Sequence, residues 1–190
     1  SENGIKQHPN RARISNLDDI KWPAWEMFPL ENYLSNGLGY GIKPGRSMPI
    51  LISRGCPYQC TFCSSPQMWT TKWQARNVEC VLNEMQHYID KYKATNFDLY
   101  DLTAIVRKDW IVDFSQKVIK KNWNIAWQMP AGTRSEALDD ETLKLLHLSG
   151  QHHIVYAPES GLEETLTKIK NKIKIGRMKK SIKSALKEGR

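Results

Sequence analysis

Short apolar segments and segments of helical periodicity alternate along most of this 190-residue chain. Four apolar segments are typical of buried strands, at residues 48–53, 97–100, 124–129 and 152–157. Each is followed by apolar residues spaced three and four apart, as one face of a helix requires; the predicted helices span 78–92, 110–118, 140–149 and 178–186. Strands that alternate with helices predict an α/β fold with a parallel sheet and right-handed crossovers.

Three residues mark ends of the predicted helices. Asn77 is a favourable N-cap for the first helix. Gly150 stands where a left-handed residue ends the third helix, and Gly189 closes the last one. The chain therefore reads as four strand–helix units, and no internal repeat is close enough to suggest a solenoid.

The first 46 residues differ from the rest and form a predicted connector arm. Proline and glycine recur there and interrupt both helices and strands, at Pro9, Pro23, Pro29, Gly37, Gly39, Gly41, Pro44 and Gly45. The aromatic stretch 22–30 argues against a free linker, because large rings usually pack against a surface. We divide the chain into this arm, residues 1–46, and an α/β domain, residues 47–190.

Positive charge is concentrated in one segment. The chain carries 28 Lys and Arg against 20 Asp and Glu, a net charge of +8. Residues 168–190 hold ten of the bases and a single acid, so residues 1–167 have a net charge of −1. A basic run ahead of a helix more often covers solvated surface than a nucleic-acid groove, and a nucleic-acid partner is not expected. No apolar run approaches the roughly 20 residues that a membrane-spanning helix needs.

Three of the four cysteines, Cys56, Cys60 and Cys63, lie within eight residues. The sequence shows no signal peptide, which predicts a cytoplasmic, reducing location where clustered cysteines are more often metal ligands than disulfides. A structural zinc site normally has four ligands, and the remaining Cys80 falls in the first turn of a predicted helix. Three thiolates with one open position favour an iron–sulfur cluster, with zinc as the alternative.

Polar residues follow the other predicted strands as well. Asp101 and Thr103 come after the second strand, Thr133 and Arg134 after the third, and the segment 159–161 (Glu-Ser-Gly) after the fourth. Active groups of parallel α/β barrels lie on loops at these carboxyl ends. Each has a purely structural alternative, such as capping a turn, forming a surface ion pair or starting the next helix.

The motif Cys-x3-Cys-x2-Cys, with Phe62 just before the third cysteine and a strand directly before the first, resembles the radical S-adenosylmethionine superfamily. The resemblance implies a partial (β/α) barrel, with four strand–helix units present of an expected six. It also implies a 4Fe–4S cluster held by Cys56, Cys60 and Cys63, whose fourth iron binds the amino and carboxylate groups of S-adenosylmethionine (SAM). In that family an electron from the cluster cleaves SAM to a 5′-deoxyadenosyl radical, which takes hydrogen from a substrate.

The resemblance also implies roles for individual residues in binding the cofactor. Glu159 and Ser160 match a motif after strand four that usually contacts the ribose of SAM, and Phe62 belongs to the cysteine loop. Arg134 matches a position often near the SAM carboxylate, where a guanidinium can pair bidentately. Asp101 lies where the family places groups that reach the amino end. The chain departs from the family at this point, because Tyr-Asp-Leu-Thr at 100–103 replaces a Gly-Gly-Glu-like motif.

Several phrases resemble the cobalamin-dependent branch of this superfamily. They lie at residues 16–20, 23–25, 28–33, 54–57, 63–69, 132–136 and 157–161. The branch implies a cobalamin-binding domain upstream of Ser1, further barrel units after Arg190, a small-molecule substrate, and a reductant such as flavodoxin or ferredoxin. Its members methylate unactivated carbons or phosphorus, close or contract rings, or rearrange carbon skeletons.

Two other functions remain open on the sequence. A non-catalytic, ferredoxin-like electron carrier would need Cys80 as a fourth ligand. A tRNA-modifying radical SAM methylthiotransferase would be expected to have a basic body and further cysteines in an upstream domain. The net charge of −1 over residues 1–167 argues against the second.

Overall fold

The chain folds into one parallel sheet with helices between its strands, preceded by an arm. The computed structural model describes residues 8–9, 11–39, 45–134 and 138–187. After two short 3₁₀ turns, Leu17–Asp19 and Trp25–Met27, the elements in chain order are α1 Leu30–Ser35, β1 Ser47–Ile50, β2 Ser53–Arg54, α2 Ser65–Trp69, β3 Gln74–Ala75, α3 Val78–Tyr92, β4 Asn96–Leu99, α4 Lys108–Lys121, β5 Ala126–Thr133, α5 Asp140–Leu148, β6 Gln151–Tyr156, α6 Glu163–Lys168 and α7 Ile175–Lys187.

The main sheet has four strands in the order β1-β4-β5-β6, and every neighbouring pair is parallel. Helices α3, α4, α5 and α7 lie between or after these strands, so the four predicted strand–helix units are all present. The predicted α/β class and the partial barrel are confirmed. Because the strands are parallel, the segments after β1, β4, β5 and β6 emerge at one edge of the sheet.

The core lies between the sheet and the apolar faces of α3 and α4. Its largest fully buried side chains include Tyr88, Met48, Phe97, Leu99, Leu82, Met85, Ile111 and Met129. The Phe114 ring stacks on Trp110 at 5.5 Å and meets Trp127 edge-on at 5.4 Å. The helix periodicity read from the sequence therefore identifies the buried faces of α3 and α4, whereas Leu148 of α5 and Leu186 of α7 are 63% and 64% exposed.

Two of the predicted helix ends are confirmed. The Asn77 side chain accepts a hydrogen bond of 2.9 Å from the backbone N–H of Glu79, as an N-cap does. Gly150 has a φ of +91°, and a Cβ at this position would collide with the carbonyl oxygen of Ile125. A glycine is thus required where α5 turns into β6.

The first predicted strand, 48–53, is wrong as a continuous element. Pairing with β4 in the main sheet ends at Ile50. Ser53 and Arg54 pair instead with β3, in a separate antiparallel ladder. The backbone N–H groups of Ile52 and Ser53 donate to the carboxylate of Asp101, at 3.1 and 2.5 Å. The apolar pattern cannot reveal this interruption, because the acceptor comes from a residue almost 50 positions away.

The third strand extends beyond its predicted end at 129 and reaches Thr133. Its register against β6 shifts between Met129 and Thr133. This stretch of β5 is longer than the stretch of β6 opposite it, which runs only from Ile154 to Tyr156. Pro130, which has no N–H to donate, lies within this irregular stretch, as prolines inside sheets commonly do. A bulge of this kind bends a strand and redirects the side chains that follow it.

The arm packs on the domain through a chain of polar contacts. The indole N–H of Trp25 donates to the Tyr88 hydroxyl at 3.0 Å, which in turn donates to Glu84 at 2.5 Å. Glu84 is buried and pairs with Arg76 at 2.5 Å, and Asp18 of the arm lies 3.7 Å from the same guanidinium. The aromatic stretch of the arm therefore packs against α3, in agreement with the expectation that its rings are not free.

Several elements were not anticipated from the sequence. They are the two 3₁₀ turns, α1, the β2–β3 ladder, and the short helices α2 and α6. Gly41 and Pro44 of the predicted arm, Gly189 at the predicted end of the last helix, and residues 135–136 of the segment 132–136 lie outside the described residues. Within the described ranges, no helix has the length and apolar character needed to cross a membrane.

Candidate functional site

The three clustered cysteines lie on one loop between β2 and α2. All three are free thiols, with Cys56 and Cys60 half-buried and Cys63 exposed. The backbone N–H of Cys63 donates to the carbonyl oxygen of Cys60 at 3.1 Å, which closes a tight turn between them. The Cys63 sulfur accepts a 3.4 Å hydrogen bond from the backbone N–H of Ser65 at the start of α2. The spacing in the sequence thus becomes a preformed turn that presents thiols at the carboxyl edge of the sheet.

Thr103, from the loop after β4, reaches the first cysteine. Its hydroxyl lies 3.3 Å from the Cys56 sulfur, and the residue is buried. The Trp73 indole N–H donates to the Thr103 carbonyl and to the Ser53 hydroxyl, at 3.1 Å each. Trp73 therefore joins the segment after β4 to the strand that leads into the cysteine loop.

Gly55 allows the loop to begin where it does. It has a φ of +88°, and a Cβ there would collide with the backbone carbonyl of Lys72. The backbone before Cys56 thus passes against the segment that leads into β3 more closely than any side chain permits.

Arg134, at the end of β5, reaches across to the cysteine loop. Its guanidinium carbon lies 3.7 Å from the centre of the Tyr58 ring, a cation–π contact within the Cys-x3-Cys segment. One of its nitrogens donates to the side-chain oxygen of Asn171 at 3.0 Å. The bulge in β5 precedes Arg134 and directs the end of the strand toward the cysteines.

The Cys60 thiol is electrostatically coupled to its neighbours. Burial raises its pKa, the nearby Arg134 charge lowers it, and the Cys56 and Cys63 sulfurs raise it again. The Cys60 thiol therefore lies within the electrostatic influence of Arg134 and of the other two sulfurs.

Asp101 does not face the open edge of the sheet. Its carboxylate accepts hydrogen bonds from the backbone of Ile52 and Ser53 and from the Ser53 hydroxyl, and the side chain is 1% exposed. Burial raises its pKa to about 6, against the opposing effect of those donors and of the Arg76 charge. In this structure the residue holds the strand that leads into the cysteine loop.

Glu159, Ser160 and Phe62 lie on exposed loop surface near the carboxyl ends of the strands. Glu159 is exposed and has a φ of +59°. The Ser160 hydroxyl accepts a 3.1 Å hydrogen bond from the backbone N–H of Leu162, and Phe62 is 59% exposed. Phe62 lies within the cysteine loop itself, next to Cys63. No hydrogen bond or ion pair between described residues joins Glu159 or Ser160 to the cysteines or to Arg134, so contact of these two with the site stays a prediction.

Cys80 lies away from the clustered thiols. It is in the first turn of α3, where burial and the adjacent carboxylate of Asp18 raise its pKa. The charges that act on Cys60 come from Arg134 and the two neighbouring cysteines instead. Cys80 is half-buried and lies in the first turn of a helix, as predicted.

Tyr58 and Asn171 are site residues that the sequence analysis missed. Tyr58 stands inside the cysteine motif, and its position there could have drawn attention to it. Asn171 lies within the basic segment interpreted as solvated surface, yet it is buried and binds Arg134. The backbone of that segment also meets the cysteine loop, because the Thr61 N–H donates to the Ile169 carbonyl at 3.0 Å. No pattern in the sequence signals these two contacts.

Fold and site together define an α/β protein with a three-thiol loop at the carboxyl edge of a parallel sheet. The family model of the radical SAM superfamily matches residues 50–190. The chain belongs to that superfamily of enzymes.

Curated relatives include methyltransferases and a cyclase. The chain is 28% identical over 160 residues to an uncharacterized methyltransferase of Pyrococcus horikoshii, covering 84% of this chain and 33% of that protein. It is 29% identical over 188 residues to the cytidylyl-2-hydroxyethylphosphonate methyltransferase of Streptomyces wedmorensis, covering 95% and 34%. It is 22% identical over 174 residues to the anaerobic magnesium-protoporphyrin IX monomethyl ester cyclase of Rubrivivax gelatinosus, covering 92% and 30%. The chain thus spans about a third of the length of these relatives.

Two solved structures share the fold. One is the radical SAM methyltransferase TsrM of Kitasatospora setae with tryptophan and a SAM analogue bound, with a TM-score of 0.65, 16% identity, and coverage of 84% of this chain and 30% of that one. The other is the cobalamin-dependent SAM radical enzyme OxsB with aqua-cobalamin and SAM bound, with a TM-score of 0.62, 19% identity, and coverage of 73% and 22%. At these identities the likeness concerns the fold.

The chemistry of the donor set fits an iron–sulfur cluster better than a single metal ion. Among the described residues, no three His, Cys, Asp or Glu side chains converge to hold one ion. Each cysteine of a cluster binds a different iron, so the three thiols must surround one cluster and need not meet at a single ion. A structural zinc ion would need four ligands around one centre, and the described residues provide no such centre.

Proposed function

We propose that this chain is the core of a radical SAM enzyme, in which Cys56, Cys60 and Cys63 hold a 4Fe–4S cluster. The observation that carries the proposal is the set of three free thiols on the loop between β2 and α2, with Arg134 stacked on Tyr58 of the same loop. When bound, such a cluster supplies the electron that breaks a carbon–sulfur bond of SAM. Superfamily membership and the open ligand position support this assignment.

The chain's own residues prepare the site for these ligands. Thr103 donates toward the Cys56 sulfur and the Ser65 N–H toward the Cys63 sulfur, and hydrogen bonds of this kind orient the ligands of a metal site. Arg134 adds a positive charge next to Cys60. Once the thiols have lost their protons, these contacts stabilise the negative charge that remains.

Arg134 is the residue we assign to the carboxylate of SAM. Tyr58 and Asn171 hold its guanidinium in one orientation, and a fixed guanidinium binds a carboxylate well. Glu159 and Ser160 are assigned to the ribose and Phe62 to the wall of the same site, in line with the motif resemblance. Asp101 is assigned to positioning the cysteine loop, because its carboxylate is occupied by the backbone of Ile52 and Ser53, which lead into that loop.

The reaction we favour is cobalamin-dependent methyl transfer or a related carbon-centred radical reaction on a small molecule. The similarity to methyltransferases and to a cyclase supports this range of chemistry. The cobalamin would be held by a domain upstream of this chain, and a flavodoxin or ferredoxin in the cytoplasm would supply the electron. Cobalamin binding by the product of the complete open reading frame, or an Asp-x-His-x-x-Gly motif upstream of Ser1, tests the branch.

The cluster and its activity are tested together. We expect the anaerobically reconstituted complete protein to contain a 4Fe–4S cluster and, under reduction, to cleave SAM to 5′-deoxyadenosine. Cys60→Ala should abolish both, because each cluster cysteine holds its own iron. Cys80→Ser is the matched control and should keep both; normal SAM cleavage by Cys60→Ala would refute the assignment.

The Cys80→Ser control also separates enzyme from electron carrier. Loss of the cluster in this variant would support the ferredoxin-like alternative, in which Cys80 is the fourth ligand. Retention supports the open position that SAM requires. The placement of Cys80 beside Asp18 favours retention.

A further inference from the structure

A basic cavity lies between the arm and the segment after the cysteine loop. Its volume is about 560 Å³, and its lining includes Arg11 and Arg13 from the arm, Arg54 from β2, Lys72, and the side chain of Trp69 from α2. No acidic side chain of the described residues lines it. We call these five residues the basic pocket.

The charges of the basic pocket are not neutralised within the described chain. None of its four cations forms an ion pair within 4.0 Å of a described carboxylate. Some basic residues elsewhere do have such partners: Lys117 pairs with Glu79 at 2.9 Å and with Asp113 at 3.0 Å. Like charges that converge without counter-charges repel each other, so this concentration favours an anionic partner.

The pocket has the composition of a protein contact surface. The guanidinium groups of Arg13 and Arg54 lie 5.5 and 5.8 Å from the Trp69 ring centre, and Arg13 also donates to the Met68 carbonyl. Met68 itself is 63% exposed at the rim of the cavity. Arginine, methionine and tryptophan are enriched at protein interfaces, and arginine and tryptophan dominate their binding energy.

The pocket is built on the same chain segment as the candidate cluster ligands. Arg54 precedes Cys56 by two residues, which limits their Cα atoms to about 7 Å. Trp69 ends α2, which begins two residues after Cys63 and whose five residues span about 7.5 Å. A protein seated on the basic pocket therefore lies next to the loop that holds the three thiols.

We propose that the basic pocket is the docking surface for an acidic, low-potential electron-donor protein. This inference rests on the proposed function, because it supplies the electron which that function needs. Docking allows electron transfer: the donor protein loses one electron, the cluster gains one, and no covalent bond forms or breaks. Electron-transfer partners typically form small, short-lived interfaces in which complementary charge directs the encounter.

The experiment compares a protein donor with a chemical one. The complete protein is reconstituted with its cluster, and reduction of the cluster is followed optically after mixing with reduced, acidic flavodoxin or with dithionite. We expect the double variant Arg11→Glu/Lys72→Glu to be reduced by flavodoxin about tenfold more slowly at low salt. The rate of reduction by dithionite should be unchanged. In 0.5 M salt the flavodoxin rates of the variant and the unmodified protein should move closer together, since surface charges are then screened.

A matched control reverses two charges elsewhere on the chain. Lys179 and Lys180 are exposed on α7, and Lys179→Glu/Lys180→Glu changes the net charge by the same amount. This variant should be reduced by flavodoxin at the rate of the unmodified protein. The milder Arg11→Gln/Lys72→Gln variant, with a smaller slowing, provides the same comparison if charge reversal lowers cluster content.

Three results would overturn the proposal. Equal rates of flavodoxin reduction in the unmodified protein and both pocket variants would show that the donor docks elsewhere. Equal slowing in the α7 control would show that only net charge matters. Salt-dependent binding of single-stranded RNA, lost in Arg11→Glu/Lys72→Glu, would make the pocket a nucleic-acid site. Failure of dithionite to reduce a cluster in the unmodified protein would instead contradict the proposed function on which the docking rests.

Discussion

At the scale of single residues, a few hydrogen bonds set the environment of the thiols. Thr103 donates toward Cys56, the Ser65 backbone toward Cys63, and Arg134 places a positive charge beside Cys60. Such donors determine how well a thiolate carries negative charge, and hence the reduction potential of any cluster it binds. Two residue-scale predictions follow from Thr103 and Asp101.

Thr103→Val should lower the reduction potential of the cluster. The Thr103 hydroxyl can donate one hydrogen bond, and two acceptors lie within reach. These are the Cys56 sulfur at 3.3 Å and the Leu102 carbonyl at 2.8 Å. A charged thiolate is the stronger acceptor of the two. The bond stabilises the reduced, more negative state more than the oxidised one. A loss of about 1 kcal/mol corresponds to about 40 mV for one electron. Spectroelectrochemical titration measures the shift, and Thr103→Ser should restore the original value; an unchanged potential in Thr103→Val would exclude the role.

Asp101 should make stability depend on pH in an unusual direction. Burial raises its pKa from 3.8 to about 6, so the folded state binds the proton more tightly than the unfolded state. Its contribution is therefore most favourable below pH 4, and the free energy of unfolding falls by roughly 3 kcal/mol as the pH rises through 6. Urea titrations between pH 4 and 7 test this. In Asp101→Asn this pH-dependent part of the free energy of unfolding should vanish. Stability should also drop at every pH, because the amide cannot accept from both backbone N–H groups. Identical pH slopes in the two proteins would contradict the prediction.

At the scale of elements, the cysteine loop depends on three neighbouring supports. The β2–β3 ladder fixes its start, α2 fixes its end, and Trp73 joins the ladder to the segment after β4. The arm is fastened to α3 separately, through the buried contacts of Trp25, Tyr88 and Glu84. The position of the thiols is thus decided by how these short elements meet.

Gly55→Ala should displace the cysteine loop without unfolding the domain. The new Cβ would collide with the Lys72 carbonyl, and the φ of +88° is strained for any L side chain. We expect a loss of about 1–3 kcal/mol of stability and a marked fall in iron content after reconstitution. Gly176→Ala, where a Cβ meets nothing within 4 Å, is the control and should bind iron normally. Full iron content in Gly55→Ala would mean that the loop adapts to the added methyl group.

At the scale of the whole molecule, the main sheet has two open edges among the described strands. Strands β1 and β6 are its edges, and each has a main-sheet neighbour on one side only among the described strands. Unpaired edges expose backbone donors and acceptors to other chains. The chain also spans about a third of the curated relatives it matches, with 33% and 34% coverage of the first two.

The 190-residue chain on its own should therefore be a poor catalyst and prone to self-association. Open strand edges favour intermolecular pairing, and an incomplete barrel shields the carboxyl edge of the sheet from water less well. Light scattering and SAM-cleavage assays on this chain and on the product of the complete reading frame give the comparison. Robust turnover by the isolated chain would show that it needs no further units.

The sequence alone was sufficient for the class of fold, whereas the ligand role of the three clustered cysteines stays a prediction. Helix periodicity, Asn77 and Gly150 reflect local chemistry, and the structure confirms them. The break after Ile50 and the extension of β5 to Thr133 were not foreseeable, since one depends on a distant carboxylate and the other on pairing with β6. Local patterns thus predicted which elements form but not where pairing stops.

The cysteine spacing, the strand–helix alternation and the concentration of charge in residues 168–190 are properties of the sequence by itself. Only the tertiary structure decided that Arg134 rests on Tyr58 and Asn171, that Asp101 turns inward, and that four bases from arm and domain line one cavity with Trp69. The physical reason is one of range. Periodicity and capping act over a few residues, whereas hydrogen bonds and charges at this site join segments that are distant in the chain and meet only when the sheet assembles.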